Sequence, residues 1–262
     1  MEKNSGFDPL MEQFADFIID SKRIVVFTGA GVSTESGIPD FRSPDGIWTK
    51  HDPEDFTYQK FISSKEARKK MYGMLESSGL MSGAKPNPAH YAIAELEKMG
   101  KLDCIITQNV DGLHQDAGNS EGKVFQLHGN MVWSVCLDCR KRYPLEDVVD
   151  KVKQGADDPR CEECGGILKP DGVFFGEALP EMELSEATTR SSRCDLFIVI
   201  GSSLVVYPAA YMPTYAVNAG ARLVIVNREP TNMDRAAHIR IPESAGDTMS
   251  KVMERVREKV GV

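Results

Sequence analysis

The sequence has no apolar run near the roughly 18 residues that a membrane-spanning helix needs. Its longest runs, Ile24–Phe27 and Leu196–Gly201, are strand-sized. The opening MEKNSGFDPLMEQ carries acidic residues and no apolar stretch of the kind that marks an export signal, so a cytoplasmic protein without a membrane anchor is expected. An excess of positive charge is also missing. Lys and Arg total 31 against 39 Asp and Glu, a net charge of −8. Direct nucleic-acid binding is therefore not expected, because phosphate contact favours a basic face. Repeats and low-complexity tracts are absent. So is the dinucleotide fingerprint G-x-G-x-x-G: three residues after Gly31 stands Thr34, and the next glycine is Gly37.

What remains is an ordinary globular composition, 41% hydrophobic and 27% charged over 262 residues, which excludes a disordered chain. The length suits one large domain carrying a smaller insertion. Short apolar runs recur at Arg23–Thr28, Leu102–Thr107, Leu196–Ile200 and Leu223–Val226, with a weaker one at His238–Ile241. Each of the first four leads into polar or Gly-containing sequence, GAGVS, QNVDG, GSSL and NREPT. Continuous apolar runs bounded this way suit buried parallel strands. Helical patterns lie at Pro9–Ser21, Pro88–Met99, Met182–Ser192, Ala209–Ala219 and Asp247–Val260. The alternation predicts an α/β fold, a Rossmann-like parallel sheet with helices on both faces. Ligands of such sheets bind beyond the carboxyl ends of the strands.

Two stretches break the alternation. Phe41–Pro88 is polar, with a helix expected at Ser64–Leu75, and Asn130–Lys169 has little apolar sequence. We read them as insertions that pack together. The large domain is then 1–43, 86–130 and 170–262, and a small domain joins a helical and cofactor-loop insertion, 44–85, to a zinc-binding module, 131–169. The module holds Cys136-x-x-Cys139 and Cys161-x-x-Cys164, with 21 residues between the pairs. That spacing predicts a four-thiolate zinc site. Four thiolates leave no open position, so one structural ion per chain is expected. Cys104 and Cys194 stand alone beside apolar runs and read as small core residues.

Glycines after the first strand, Gly29 and Gly31, let backbone approach a pyrophosphate, although a lone GxG is as compatible with a ligand-free turn. The surroundings decide. Gly29–Trp48 reads GAGVSTESGIPDFRSPDGIW, followed by TQNVDGLH at Thr107–His114, LHG at Leu127–Gly129 and then the paired CxxC motifs. Taken together in this order, these resemble the sirtuin family of NAD-dependent protein-lysine deacylases, over about residues 10 to 260.

The resemblance implies roles residue by residue. Gly29, Ala30, Ser33 and Thr34 would hold the NAD phosphates. Asp40, Phe41 and Arg42 match the mobile cofactor loop, Phe41 shielding the reaction centre and Arg42 meeting phosphate. Gln108, Asn109 and Asp111 match the nicotinamide and ribose pocket, Asp111 accepting from the carboxamide and Asn109 placing a ribose hydroxyl or a water. Taken alone, Asp111 would read as a turn residue ahead of Gly112. His128 matches the general base, a role suited to an imidazole that titrates near neutrality. Gly201, Ser202 and Ser203 match the second phosphate and ribose loop, Asn227 and Glu229 the adenosine ribose, and the turn around Ala245 the adenine. Val173, Phe174, Phe175, Gly176 and Glu177 match the loop that pairs with the substrate peptide, opposite Val205, Val206 and Tyr207, in a strand-addition mode. Val173 C=O would accept from the acyl-lysine N–H. Gly172 departs from the bulky aliphatic residue usual there.

The implied reaction is attack of the acetyl-lysine amide oxygen on the nicotinamide ribose. Nicotinamide leaves in that step; deprotonation by His128 lets the 2′-oxygen attack the imidate carbon, and water then releases O-acetyl-ADP-ribose and the deacetylated protein. Relatives favouring succinyl or malonyl groups carry Tyr-x-x-Arg in the helical flap. Here Tyr72 is followed by Gly73, Met74 and Leu75, and Arg68 precedes it, so neutral acetyl is expected over acidic acyl groups. Met71, Met74 and Leu75 could line such a site, although a Met stripe at helical spacing is more often core. A mono-ADP-ribosyltransferase, a zinc-ribbon binding module and a hydride-transfer dehydrogenase are the competing readings. The intact VFFGE loop, the complete pocket motifs and the missing G-x-G-x-x-G weigh against them in turn. An acetylated protein or peptide is the expected partner and a monomer the expected state.

Overall fold

The computed structural model describes residues 8–77 and 83–261. The expected domain ranges 1–43 and 44–85 therefore include residues 1–7 and 78–82, which lie outside it. In chain order the elements are α1 (Asp8–Asp20), β1 (Ile24–Thr28), α2 (Tyr58–Ser63), α3 (Lys65–Ser77), α4 (Pro88–Lys98), β2 (Leu102–Thr107), α5 (Leu113–Asp116), β3 (Val124–Gln126) and β4 (Gly129–Cys136). Then follow β5 (Arg142–Pro144), α6 (Leu145–Lys153), β6 (Leu168–Gly172), α7 (Glu181–Ser191), β7 (Leu196–Ile200), α8 (Met212–Asn218), β8 (Arg222–Val226), β9 (Ile239–Ile241) and α9 (Ala245–Val260).

Six strands form one sheet in the order β3-β2-β1-β7-β8-β9, every pair parallel. The order reverses direction at β1, so the β1–β7 boundary is a topological switch point, where such sheets bind ligands. Successive residues of β1 enter opposite cores. Ile24 and Val26 pack with α1, α4 and α9 residues such as Phe14, Ile93 and Val252, whereas Val25 and Phe27 pack with Ala187, Ala210 and Ala216 from the α7 and α8 side. Burial on both faces is what a β-branched run without alternation encodes.

The second sheet is small and antiparallel, β5-β4-β6. It shares a core with the insertion before α4: Phe56, Phe61, Met71, Tyr72, Met74 and Leu75 pack with Tyr143, Leu145, Val148, Val149 and Leu168. Met71, Met74 and Leu75 thus sit in this core. The low apolar content of Asn130–Lys169 concealed three strands and a helix. β4 presents several residues to solvent, β5 has three residues, and α6 buries only Leu145, Val148 and Val149. The helix expected from Ala209 opens instead as a 3-10 turn, Ala209–Tyr211, before α8. Pro213 supplies no N–H to a preceding turn and sits in the first turn of α8, where none is needed.

Candidate active site at the sheet switch point

The loops after β1 and β7 touch backbone to backbone. Gly29 N donates to Ile200 O at 3.1 Å and Gly31 N to Gly201 O at 2.9 Å. A Cβ on Gly31 would lie 2.8 Å from Gly201 Cα, and one on Gly201 would lie 2.2 Å from Val32 N. Gly201 also has φ +64. Ala30 therefore sits at the rim of a seam that side chains cannot fill.

Beside the seam, three expected site residues form one cluster. Ser33 Oγ donates to Asp111 Oδ2 at 2.7 Å and accepts from Asn109 Nδ2 at 3.1 Å. Asp111 Oδ1 accepts the Leu113 N–H at 3.0 Å, so this carboxylate both orders the turn and reaches the pocket. Ser202 Oγ donates to Gln108 Oε1 at 2.8 Å, which ties the two loops together. Ser33 is thus held beside Asn109 and Asp111, and Thr34 Oγ1 is bonded locally to Gly31 O at 3.1 Å.

His128 lies 3.1 Å from Gln108 O through Nδ1. A carbonyl only accepts, so Nδ1 carries the proton and Nε2 keeps its lone pair. Burial pushes this imidazole below its ordinary value, against the opposing pull of the Gln108 carbonyl. A neutral ring with a free Nε2 can serve as a base.

Sequence reasoning missed the layer beneath. The Asn109 N–H donates to Thr107 Oγ1 at 3.0 Å, Thr28 Oγ1 to Thr107 Oγ1 at 2.8 Å, and His114 Nε2 lies 2.9 Å from Thr28 Oγ1. The His114 and His90 rings are 5.0 Å apart, and burial pushes their values down to about 3 and about 4. His114 is buried in the turn after Gly112 and meets Thr28 from beneath the pocket. The register that aligns Thr28 with Thr107 carries no short-range signal.

The expected cofactor loop is folded back on itself. Asp40 Oδ1 accepts from Arg42 N and Ser43 N at 2.9 and 2.7 Å, and Phe41 O accepts from Trp48 N at 3.1 Å. Trp48 lies 5.2 Å from Phe41 and 5.9 Å from Phe175, ring centre to ring centre. It bridges the cofactor loop and the expected peptide loop, and it was not foreseen. The Arg42 side chain is exposed. On the far side of β7, Asn227 Nδ2 donates to Glu229 O at 2.7 Å, Glu229 is exposed, and Ala245 is buried at the start of α9. Glu35 accepts the Gly246 N–H there at 2.5 Å.

Val173–Glu177 follows β6 as a loop, although VFFGE alone reads as a buried strand. Val173 N donates to His128 O at 2.8 Å, and Phe175 O accepts from Tyr58 N at 2.9 Å. Phe174 turns inward against Phe61, rings 5.1 Å apart, whereas Phe175, Val205 and Tyr207 are exposed. Gly172 has a local reason: its Cβ would meet Met131 Cε at 2.8 Å, so methionine fills the space an aliphatic would take.

The four cysteine sulfurs lie within 4.8 Å of one another, with Cys136–Cys164 at 3.5 Å and Cys139–Cys161 at 3.6 Å. Tetrahedral thiolates about 2.3 Å from zinc stand about 3.8 Å apart, so the donor set fits one zinc ion. Gly166 allows the approach: a Cβ there would lie 2.7 Å from Cys136 Sγ.

Known proteins resemble both sequence and fold. The chain is 48% identical over 245 residues to an NAD-dependent protein deacetylase of Thermodesulfovibrio yellowstonii, covering 93% of this chain and 94% of that protein. It is 46% identical over 244 residues to NAD-dependent protein deacylase 2 of Archaeoglobus fulgidus, covering 93% and 94%. A solved Sir2 variant with a deacetylated p53 peptide and 3′-O-acetyl-ADP-ribose superposes with TM-score 0.88 at 42% identity, over 93% of this chain and 97% of that one. A Sir2 complex with p53 peptide and NAD+ superposes with TM-score 0.85 at 40% identity, over 96% and 98%. The Sir2 family model matches residues 29–208, the span from Gly29 after β1 through the cysteine module to the loop after β7. By this match and by relatives alike along nearly its whole length, the chain belongs to the Sir2 family.

Proposed function

We propose that this protein is an NAD-dependent protein-lysine deacetylase, which transfers the acetyl group of an acetyl-lysine side chain to ADP-ribose and releases nicotinamide. The observation that carries this reading is the meeting of Asn109, Asp111 and Ser33 at the switch point, with His128 bonded to the adjacent Gln108 carbonyl and the loops after β1 and β7 in backbone contact at Gly31 and Gly201. NAD supplies a ribose carbon with a good leaving group, and the acetyl-lysine amide oxygen is the nucleophile.

The chain's own residues then have distinct tasks. Asn109 and Asp111 orient the carboxamide and ribose. His128, protonated at Nδ1, takes a ribose proton at Nε2. Phe41, backed by Trp48, closes the site against water. Gly29, Ala30, Thr34, Arg42, Gly201, Ser202 and Ser203 serve the phosphates and ribose, and Asn227, Glu229 and Ala245 the adenosine. Val173–Glu177 and Val205–Tyr207 flank the peptide. The segments 1–43, 86–130 and 170–262 hold the nucleotide, while 44–85 and 131–169 form the lobe that closes over it. Cys136, Cys139, Cys161 and Cys164 hold one structural zinc ion, which fixes the knuckles of that lobe. We place the protein in the cytoplasm as a monomer acting on proteins. No described helix is long and apolar enough to cross a membrane, and the net charge of −8 disfavours nucleic acid as a direct partner.

The test is nicotinamide release with an acetyl-lysine peptide. Release should require both NAD and the peptide, and His128→Ala should nearly abolish it. Full activity in that variant removes His128 from the mechanism. Peptide-independent release, or reduction of NAD without cleavage, overturns the reading.

A further inference from the structure

A single buried ammonium braces the loop after β6 from within. Lys169 donates to Pro170 O at 3.0 Å, Gly172 O at 2.6 Å and Glu177 Oε2 at 2.9 Å. An ammonium has three N–H donors, so all are used. The charge also lies 4.3 Å from the Phe174 ring centre, and only 8% of the Lys169 side chain is exposed. The same Glu177 oxygen accepts the Phe174 N–H at 2.7 Å.

These bonds fix two successive peptide planes. In the first, the Gly172 carbonyl is held by Lys169 and the Val173 N–H by His128 O at 2.8 Å. In the second, the Phe174 N–H is held by Glu177. A trans peptide points its C=O opposite to its N–H, so the Val173 carbonyl is turned away from Glu177. Among the described residues nothing donates to that carbonyl, although backbone acceptors are ordinarily satisfied. Stability alone does not account for the ion pair beneath it, since apolar residues of similar volume often serve a buried site as well or better.

We propose that Lys169, acting through Glu177, is the positioning residue that aims the Val173 carbonyl at the side-chain N–H of the acyl-lysine substrate. The inference rests on the deacetylase reading and assigns Lys169 no contact with substrate. Its consequence is selective: losing the brace weakens recognition of one N–H and leaves nucleotide binding alone.

The experiment compares three labelled peptides, one with acetyl-lysine, one with the ester isostere in which oxygen replaces the side-chain N–H, and one with unmodified lysine. Affinities are measured by fluorescence anisotropy for wild type, Lys169→Met and Lys169→Arg. Wild type should prefer the amide about fivefold, the size of one net hydrogen bond. Lys169→Met should bind the amide about fivefold more weakly, bind the ester within about twofold of wild type, and keep its KM for NAD. Lys169→Arg, which keeps the charge, should restore most of the preference. Equal weakening of the amide and ester peptides, or an unchanged amide-to-ester ratio, overturns the proposal. Should Lys169→Met fail to fold, Glu177→Gln and Glu177→Ala ask the same question. Gln retains an acceptor for the Phe174 N–H and should keep the preference, whereas Ala should lose it, and equal ratios in the two defeat the idea. If wild type does not favour the acetylated over the unmodified peptide, the deacetylase reading fails instead.

Discussion

Arg68 is locked to Asp158 by two parallel hydrogen bonds, Nε to Oδ1 at 2.7 Å and Nη2 to Oδ2 at 2.8 Å. Its Nη1 donates to Phe61 O at 2.9 Å, and both side chains are less than a tenth exposed. The fork is fully engaged, so this arginine is not free to bind a carboxylate on an acyl chain. Tyr72, the neighbouring candidate, is equally committed, its hydroxyl donating to Leu168 O at 2.8 Å.

Acetyl-lysine peptides should therefore turn over with at least tenfold higher kcat/KM than succinyl-lysine peptides of the same sequence. The ratio is measured by competition in one reaction, and equal or better turnover of the succinyl peptide contradicts it. Arg68→Ala should leave that preference unchanged while lowering stability by about 1–3 kcal/mol, since Asp158 loses its two-pronged partner and keeps only Arg160, Nη2 to Oδ2 at 2.6 Å.

His128 has its basic form stabilised by burial. Protonation, which removes the base, then sets in below the ordinary histidine value of about 6.5. The acid limb of kcat/KM in the free enzyme should fall below pH 6.5, and a profile from pH 5 to 8 reads it directly. A limb at or above that value would mean that the ring is charged more easily than its surroundings allow.

The pair beneath the pocket makes a separate prediction about stability. His90 and His114 are pushed down to about 4 and about 3 by burial. Between these values and about 6.5 the unfolded chain binds protons that the folded one does not, so stability drops as pH falls. From pH 6.5 to 5 the loss should be about 3 kcal/mol for the two together. Urea titrations at several pH values test this, and a double His90→Gln, His114→Gln variant should show a shallower slope.

Zinc content should be one ion per chain by mass spectrometry of the metal and should be lost in Cys136→Ala. Strong chelators should melt the small lobe first, because the binding energy of such a site is folding energy. Native zinc stoichiometry in Cys136→Ala would exclude that cysteine as a ligand.

Much of the large sheet was legible because burial on both faces writes itself as unbroken β-branched runs. Leu102–Thr107 and Leu196–Ile200 have the bounds expected of them. β3 was not, since VFQ at an edge is three residues long. In the small lobe the thiolate knuckles could be read from spacing, but the strands around them could not, because β5 has three residues and β6 is the polar, Pro- and Gly-containing LKPDG. The expected pocket residues are contiguous in sequence within each loop. Their support is not: Thr28–Thr107, Trp48–Phe175 and Lys169–Glu177 are meetings made by register and turn geometry. A pairing that depends on two distant backbones leaves no trace in either segment alone.

The contact between Gly31 and Gly201 works as a gauge with no adjustable part. Where main chain rests on main chain, neither partner offers a side chain that mutation could lengthen or trim. The separation of the two loops is thus inherited with the strand order itself. On the proposed reading, variation that retunes the enzyme falls on the outer residues Phe175, Val205 and Tyr207, which are exposed. One scaffold can in this way keep its nucleotide while trading the proteins it serves.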